Sequence, residues 1–372
     1  MKTRASILRQ APGTYETAEL DLDGPRADEV LVKVAASGLC HSDDHIATGD
    51  MQVPVLPIAG GHEGAGVVQE VGSAVLGLKA GDHVVFSFIP GCGRCRFCAR
   101  GQQNLCDTGA NTLSGSRFGE ENSFRLTLDG RPVAQMAGIS TFSEYTTVSI
   151  NSCVKIPDDI PLTVACLTGC GVGTGWGSAV NSADIVVGDT VIVMGIGGIG
   201  INAVQGARHA GAATIIAVDP VAFKREKAQE MGATHAFESI EEAADVARSF
   251  TNGQGADAAI VTVGVTTGEH IAQAFAAIRK GGTTVVTGVG SNTEVGIPVS
   301  PFELTLTQKR LQGALFGGCS PSIDILRQLD MYRSGLLKLD ELVTTTYTLD
   351  EVAKGYEDMH AGKNIRGVVL FD

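Results

Sequence analysis

Six of the nine cysteines and one of the eight histidines form two unlike patterns of the soft ligand atoms that zinc prefers. Cys92, Cys95, Cys98 and Cys106 share one short stretch, spaced Cys-x2-Cys-x2-Cys-x7-Cys. Four thiolates from one loop close a tetrahedron and leave no open position, which suits a structural ion that does no chemistry. An iron–sulfur cluster is the nearest competitor, but its common bacterial run ends in a three-residue gap and a proline. Here the last gap is seven and Asp107 follows. Disulfides between cysteines two residues apart are poor ones, so zinc is the expected occupant. Cys40, His62 and Cys170 are scattered instead, each beside glycine, in Gly38-Leu39-Cys40-His41-Ser42, Gly60-Gly61-His62-Glu63-Gly64 and Gly169-Cys170-Gly171. Two thiolates and an imidazole fill three corners of a tetrahedron and leave the fourth to water or substrate, as a catalytic zinc requires. Taken singly, each has a plainer reading: a lone cysteine is usually a small core residue. Their company with the four-cysteine lobe makes them a set.

A third pattern concerns a cofactor. Gly195-Ile196-Gly197-Gly198-Ile199-Gly200 follows an apolar strand and opens a helix, the setting a dinucleotide fingerprint needs. The glycines allow a tight turn, close approach of backbone to a pyrophosphate, and close packing of helix on strand. The helix N-terminus adds N–H donors and a positive dipole end. Asp219 ends the next strand, where a carboxylate accepts ribose hydroxyls and repels a 2′-phosphate, favouring NAD over NADP. Pro220 biases it towards an extended backbone.

These groups need elements to position them. With 372 residues, 44% of them apolar and 48 of them glycine, the chain can bury two cores and is rich in turns. Its net charge of -13 argues against nucleic acid or an anionic membrane surface as partner. No stretch reads as a transmembrane helix or a signal-peptide core. Nine cysteines without such a signal belong in a reducing compartment, so a cytoplasmic location is expected, with Cys153, Cys166 and Cys319 as buried filler.

The first third reads as short strands, among them Val30–Val34, Gly66–Val71 and Val84–Phe86. From about Gly188 strands and helices alternate. Strands are expected at Thr190–Met194, Thr214–Asp219, Ala258–Val263 and Thr283–Thr287, helices at Ile199–Ala210 and Lys224–Met231. That alternation implies a parallel sheet covered on both faces. Two helical stretches, Ile323–Ser334 and Asp350–His360, and a strand, Gly367–Phe371, complete the chain.

Zinc lobe, scattered ligands and fingerprint occur in the order seen in the zinc-dependent medium-chain alcohol dehydrogenases, which the sequence resembles from end to end. The stretches Met194–Gly206, Val218–Lys227 and Gly253–Gly264 are most similar to the actinobacterial nicotinoproteins, the N,N-dimethyl-4-nitrosoaniline-dependent branch. The resemblance implies an α/β chain: a GroES-like, β-rich catalytic domain over residues 1–171 with its zinc lobe at 92–106, a Rossmann doubly wound parallel sheet over 172–316, and a return to the catalytic domain over 317–372. It implies two zinc ions per chain, and NAD that stays bound and is reoxidised in place by a second substrate or a redox carrier such as mycofactocin. A homo-oligomer, dimer or tetramer, is implied too, acting on small alcohols and aldehydes.

Carried over by position, the family pattern makes Cys40, His62 and Cys170 ligands of the catalytic zinc, with Glu63 close behind. Ser42 and His45 match a proton relay. Thr174 matches a residue against the nicotinamide, Lys224 a ribose contact, and His41 and Arg366 pyrophosphate contacts. An exposed histidine beside a ligand is the plainer reading of His41. Phe88 and Phe142 would be apolar walls of the substrate mouth or ordinary core, and the segment from Leu113 to Thr141 would line that mouth. Three alternatives stand beside this reading: a conventional dehydrogenase with exchanging NAD, a thiol-dependent formaldehyde dehydrogenase, and a non-catalytic redox sensor on the same fold. Against the second, Ala110 stands where that branch carries an arginine to grip a substrate carboxylate.

Overall fold

The ten-residue strand Glu29–Gly38 organises the first unit, because it leads to Cys40 and two segments that adjoin or carry candidate site residues, Gly64–Val71 after His62 and Glu63 and Arg366–Leu370, are registered on it. A computed structural model describes residues 1–372 and divides into two compact units, one of Met1–Cys170 with Ser320–Asp372, the other of Gly171–Cys319. The expected divisions were 171/172 and 316/317.

The first unit holds a closed barrel and a sheet. Around the barrel run Lys2–Leu8, Glu16–Leu22, Leu126–Leu128, Arg131–Gln135 and Ile58–Ala59. The sheet runs Cys153–Ile156, His83–Phe86, Gly64–Val71, Glu29–Gly38, Arg366–Leu370 and Val343–Tyr347, with Tyr145–Ser149 also on Glu29–Gly38. Ser37 sits opposite Gly64, and Gly38 opposite Val368. Alternating inward residues make the cores: Val30, Val32, Val34, Val68, Val84 and Phe86 pack together under one face.

Much of the segment 113–141 is barrel wall rather than a loop at a mouth, since it supplies Leu126–Leu128 and Arg131–Gln135. It is pinned by buried charge: Arg117 and Arg125 donate to the Glu29 carboxylate at 3.0 and 2.7 Å, all three side chains being buried. Phe142 is core, not a pocket wall. It is fully buried, and its ring packs edge-on to Tyr15 at 6.0 Å and near Tyr356.

The second unit is a six-stranded, wholly parallel sheet. Numbered along the chain, its strands Thr190–Met194, Thr214–Val218, His235–Phe237, Ala256–Val261, Ile278–Val286 and Arg310–Gly313 lie in the order 3-2-1-4-5-6. This is the doubly wound dinucleotide-binding order, with its switch point at the first strand. All five residues of Thr190–Met194 are buried, as a strand covered on both faces demands. Two helices that the sequence reading passed over, Ile240–Phe250 and Gly268–Ala277, face the sheet with small alanines such as Ala243, Ala247 and Ala274. No helix is long and apolar enough to cross a membrane.

Candidate active site

The strand register explains why distant residues meet. Cys40 lies two residues past the end of Glu29–Gly38, His62 and Glu63 just before Gly64, and Arg366 two residues before Val368. The backbones crowd here: a side chain at Gly38 would come within 2.6 Å of the Glu63 carboxylate and 2.8 Å of the Arg366 guanidinium. Cys170 directly follows the short helical turn Cys166–Gly169 and closes the first stretch of the first unit.

Cys40, His62 and Cys170 are brought together. All are buried, and their ligand atoms lie within 4.8 Å of one another. His62 is oriented from behind: its Nδ1 is 2.7 Å from Asp43 Oδ2, while Asp43 Oδ1 accepts the Gly61 N–H at 2.7 Å. A carboxylate on one ring nitrogen fixes the tautomer and leaves Nε2 as the ligand atom. The hydrogen bond with Cys170 holds the Cys40 thiol well below its ordinary range against the effect of burial, and the charge on His62 adds to it. Burial alone would lower the His62 pKa, but Asp43 and Cys40 outweigh it and push it up to about 10. Two sulfurs and an imidazole nitrogen converge here, a donor set that fits zinc with one corner left open.

Glu63, fully buried, accepts a hydrogen bond from Arg366 Nη2. Arg366 was expected at a pyrophosphate. Its Nη2 is committed to Glu63, burial lowers its pKa, and its buried Nε has no hydrogen-bond partner. An orphaned guanidinium N–H is what an anionic ligand would satisfy.

Ser42 and His45 lie three residues apart, on one face of the helix His41–Thr48, which begins at Cys40 as its N-cap. The Ser42 hydroxyl is 3.9 Å from Cys40 Sγ. His45 is 3% exposed, with Nδ1 3.7 Å from the half-exposed Asp50 carboxylate. His41, the first helical residue, has its ring 6.2 Å from that of His45. The next acid along, Asp44, is buried and bonded to His360 Nε2 at 2.7 Å, tying this helix to Val352–His360. Phe88 sits edge-on to His62, its centroid 5.6 Å away.

Asp43 was not singled out from the sequence. An acid in the first turn of a helix is expected on dipole grounds alone, so nothing in its position sets it apart.

The four-cysteine lobe is equally well formed, its sulfurs all within 4.8 Å of one another. Cys92 and Cys98 are 3.9 Å apart and Cys95 and Cys106 4.0 Å, close to the roughly 3.8 Å edge of a tetrahedron with 2.3 Å zinc–sulfur bonds. A disulfide would need about 2.05 Å. Backbone N–H groups of Cys92, Cys95 and Cys98 each point at a lobe sulfur from 3.4 Å. Burial works against ionisation of Cys92, yet such N–H groups hold its pKa down to about 6.

In the second unit the fingerprint turn has the expected form. Gly195 takes φ +94°, and a side chain at Gly200 would meet the Gly195 carbonyl at 1.8 Å. Gly197 faces open space that a Cβ would begin to fill, which fits close approach of a pyrophosphate. Asp219 locks the turn: Oδ2 accepts the Ile196 N–H at 2.8 Å and Oδ1 the Val221 N–H at 2.9 Å. Lys224 lies in the first turn of Ala222–Glu230, but Arg225 is the side chain that reaches back, donating to the Asp219 carbonyl at 2.7 Å. Thr174 is buried in the helix Gly171–Gly177, its carbonyl accepting from Ser178 Oγ at 2.6 Å.

Residues 26–158 match the model of the alcohol dehydrogenase GroES-like domain, and residues 198–330 that of the zinc-binding dehydrogenases. The chain belongs to the zinc-dependent medium-chain alcohol dehydrogenases. It is 53% identical over 370 residues to the NDMA-dependent alcohol dehydrogenase of Amycolatopsis methanolica, covering all of this chain and 99% of that one. It is 52% identical over 370 residues to a protein of Mycobacterium tuberculosis described as putative alcohol dehydrogenase D, with both chains fully covered. Among solved structures, the benzyl alcohol dehydrogenase of Acinetobacter calcoaceticus superposes with a TM-score of 0.91 at 28% identity, both chains fully covered. The protein is therefore an oxidoreductase acting on alcohols, with zinc and NAD as its cofactors.

Proposed function

We propose that this enzyme oxidises primary alcohols to aldehydes with NAD that does not leave between turnovers, and that a second substrate or redox carrier, of which mycofactocin is one, reoxidises it in place. The observation that carries the reading is the 53% identity, over the whole chain, to a relative whose name states dependence on NDMA. Cys40 and Cys170 through Sγ and His62 through Nε2 hold the catalytic zinc, and Cys92, Cys95, Cys98 and Cys106 the structural one. When bound, zinc supplies a Lewis-acidic charge that makes an alcohol hydroxyl acidic near neutral pH, and NAD supplies the hydride acceptor.

The protein's own share is positioning and proton handling. Asp43 keeps Nε2 of His62 available, and the Glu63–Arg366 pair sets the charge behind the site. Ser42 Oγ accepts the hydroxyl proton while releasing its own outward, so the serine stays neutral. His45, one turn along, passes it outward, and the nearby Asp50, its side chain 38% exposed, gives it a route to water. Gly195, Gly197, Gly198, Ile199 and Gly200 cradle the pyrophosphate and Asp219 the ribose; His41, Thr174, Lys224 and Arg366 supply the remaining cofactor contacts.

We further propose a cytoplasmic homodimer. The sheet of the second unit ends in Arg310–Gly313, an edge with one side unpaired, and Phe302 and Leu306 in the helix just before it and Leu315 just after it are exposed. A second copy of the same edge would pair the strand and cover these side chains.

The test is to denature freshly purified enzyme and quantify what it releases. The expected result is one NAD and two zinc ions per chain, with turnover in the presence of an external acceptor and no added NAD. Protein without NAD, whose activity depends on added cofactor, would instead make it a conventional exchanging dehydrogenase.

A further inference from the structure

Two buried amides stand in the helix that follows the fingerprint, where packing alone would be met by apolar residues. Asn202 is fully buried and Gln205 3% exposed, among Ile201, Ala203, Val204 and Ala207. Burying amides is costly unless each is bonded. These are: Gln205 Nε2 donates to Asn202 Oδ1 at 3.1 Å, and Asn202 Nδ2 donates to the Gly198 carbonyl at 2.9 Å.

The place of that last bond is informative. At the start of the helix the backbone N–H of Asn202 goes to the Ile199 carbonyl, 3.1 Å away, rather than to that of Gly198. The side chain of Asn202 takes over the Gly198 carbonyl, four residues back. Gly198 C=O and Ile199 N–H belong to one planar trans peptide and point in opposite directions. Holding the carbonyl inward therefore aims the Ile199 N–H out of the helix N-terminus, where the fingerprint presents its donors to a phosphate. The neighbouring helix Gly171–Gly177 seals the arrangement: a side chain at Gly175 would lie 2.0 Å from the Ile199 carbonyl and 2.8 Å from Asn202 Cβ. Thr262 Oγ1 fixes the other end of the turn by donating to the Gly195 carbonyl at 2.6 Å.

We propose that Asn202, oriented by Gln205, is a positioning residue that pre-organises the phosphate-binding turn and sets how slowly NAD leaves. The proposal rests on the reading that NAD stays bound, and supplies the physical reason for it. A turn already held in its bound shape loses little freedom when the dinucleotide binds, so the complex is tighter and its dissociation slower. A loop free to rotate that peptide would bind the same groups with a faster exchange.

The experiment compares wild type with Asn202→Ala, Asn202→Ser and Gln205→Met. NAD retained on the protein is followed over time after gel filtration, with zinc content and melting temperature measured on the same samples. Asn202→Ala is expected to release NAD about tenfold faster, the effect of losing one buried hydrogen bond. Asn202→Ser is expected to return towards wild type, because a serine hydroxyl can bond the carbonyl four residues back. Gln205→Met should fall between. Equal release from wild type and Asn202→Ala overturns the proposal, and so does equal loss in the Ser and Ala variants, which would mark a packing effect. If wild type itself carries no NAD, the reading of bound cofactor fails separately. The proposal is then decided by the dissociation constant for added NAD: a rise of about tenfold in Asn202→Ala supports it, and an unchanged value overturns it.

Discussion

Asp43 braces the candidate metal site without being one of its ligands. It orients His62 through one oxygen, anchors the Gly61 backbone through the other, and its own carbonyl accepts the Tyr15 hydroxyl at 3.1 Å. Asp43→Ala should therefore leave the ligand set intact but loosely held, lowering zinc affinity by about 10–100-fold, a loss readable by competition with a chromogenic chelator. Affinity equal to wild type would mean that the imidazole needs no such support. At this scale the sequence was legible where chemistry is written in residue type: thiolates and imidazole beside glycines announce themselves. Asp43, Asn202 and Gln205 do not, because an acid in a first helical turn or an amide in a helix has many uses, and only the partner tells which one applies. Arg366 illustrates the same limit, for its pairing with Glu63 joins residues 303 positions apart.

Elements were legible in proportion to the regularity of their burial. Thr190–Met194 is buried at every position, with four apolar residues after Thr190, and was located to the residue. The helix His41–Thr48 went unnoticed because Asp43, Asp44 and His45 are all buried in it, which erases the usual separation of polar and apolar faces. Gly268–Ala277 relies on alanines and a few larger side chains, a weaker periodic signal than leucine and valine would leave, whereas Ile240–Phe250 separates its polar and apolar faces cleanly and was open to the same reading. The contact between Gly171–Gly177 and the fingerprint helix could not be foreseen either, though its agents, Gly175 and Gly206, are plain in the chain. A side chain at Gly206 would meet the Trp176 carbonyl at 2.5 Å. Gly206→Ala should thus force the two helices apart at a cost of about 1–3 kcal/mol, seen as a lower midpoint in urea unfolding. An unchanged midpoint would show that the crossing can relax freely.

For the whole molecule, charge and surface pull in different directions. A net charge of -13 keeps copies apart in general, while the apolar side chains around Arg310–Gly313 favour contact at one place. Leu306→Asp puts a charge into that patch, and across a two-fold axis it would face its own copy. Sedimentation should then show a shift from dimer to monomer with the dinucleotide unit still folded. A wild-type monomer at micromolar concentration would remove the dimer from the account. The change of texture near Gly188, where short strands give way to alternation, lies inside the second unit, Gly171–Cys319, and not at its start.

The first unit is stitched from Met1–Cys170 and Ser320–Asp372, with the parallel sheet placed between them in the chain. On the ribosome this imposes a timetable. Every strand of the sheet that takes the dinucleotide has been synthesised before the final piece of its partner exists, and Glu63 waits for Arg366 until nearly the last peptide bond. A nascent chain halted after Cys319 would own every strand of the nucleotide-binding unit but still lack Arg366, the partner of the buried Glu63 carboxylate, so the catalytic unit is the later of the two to be completed.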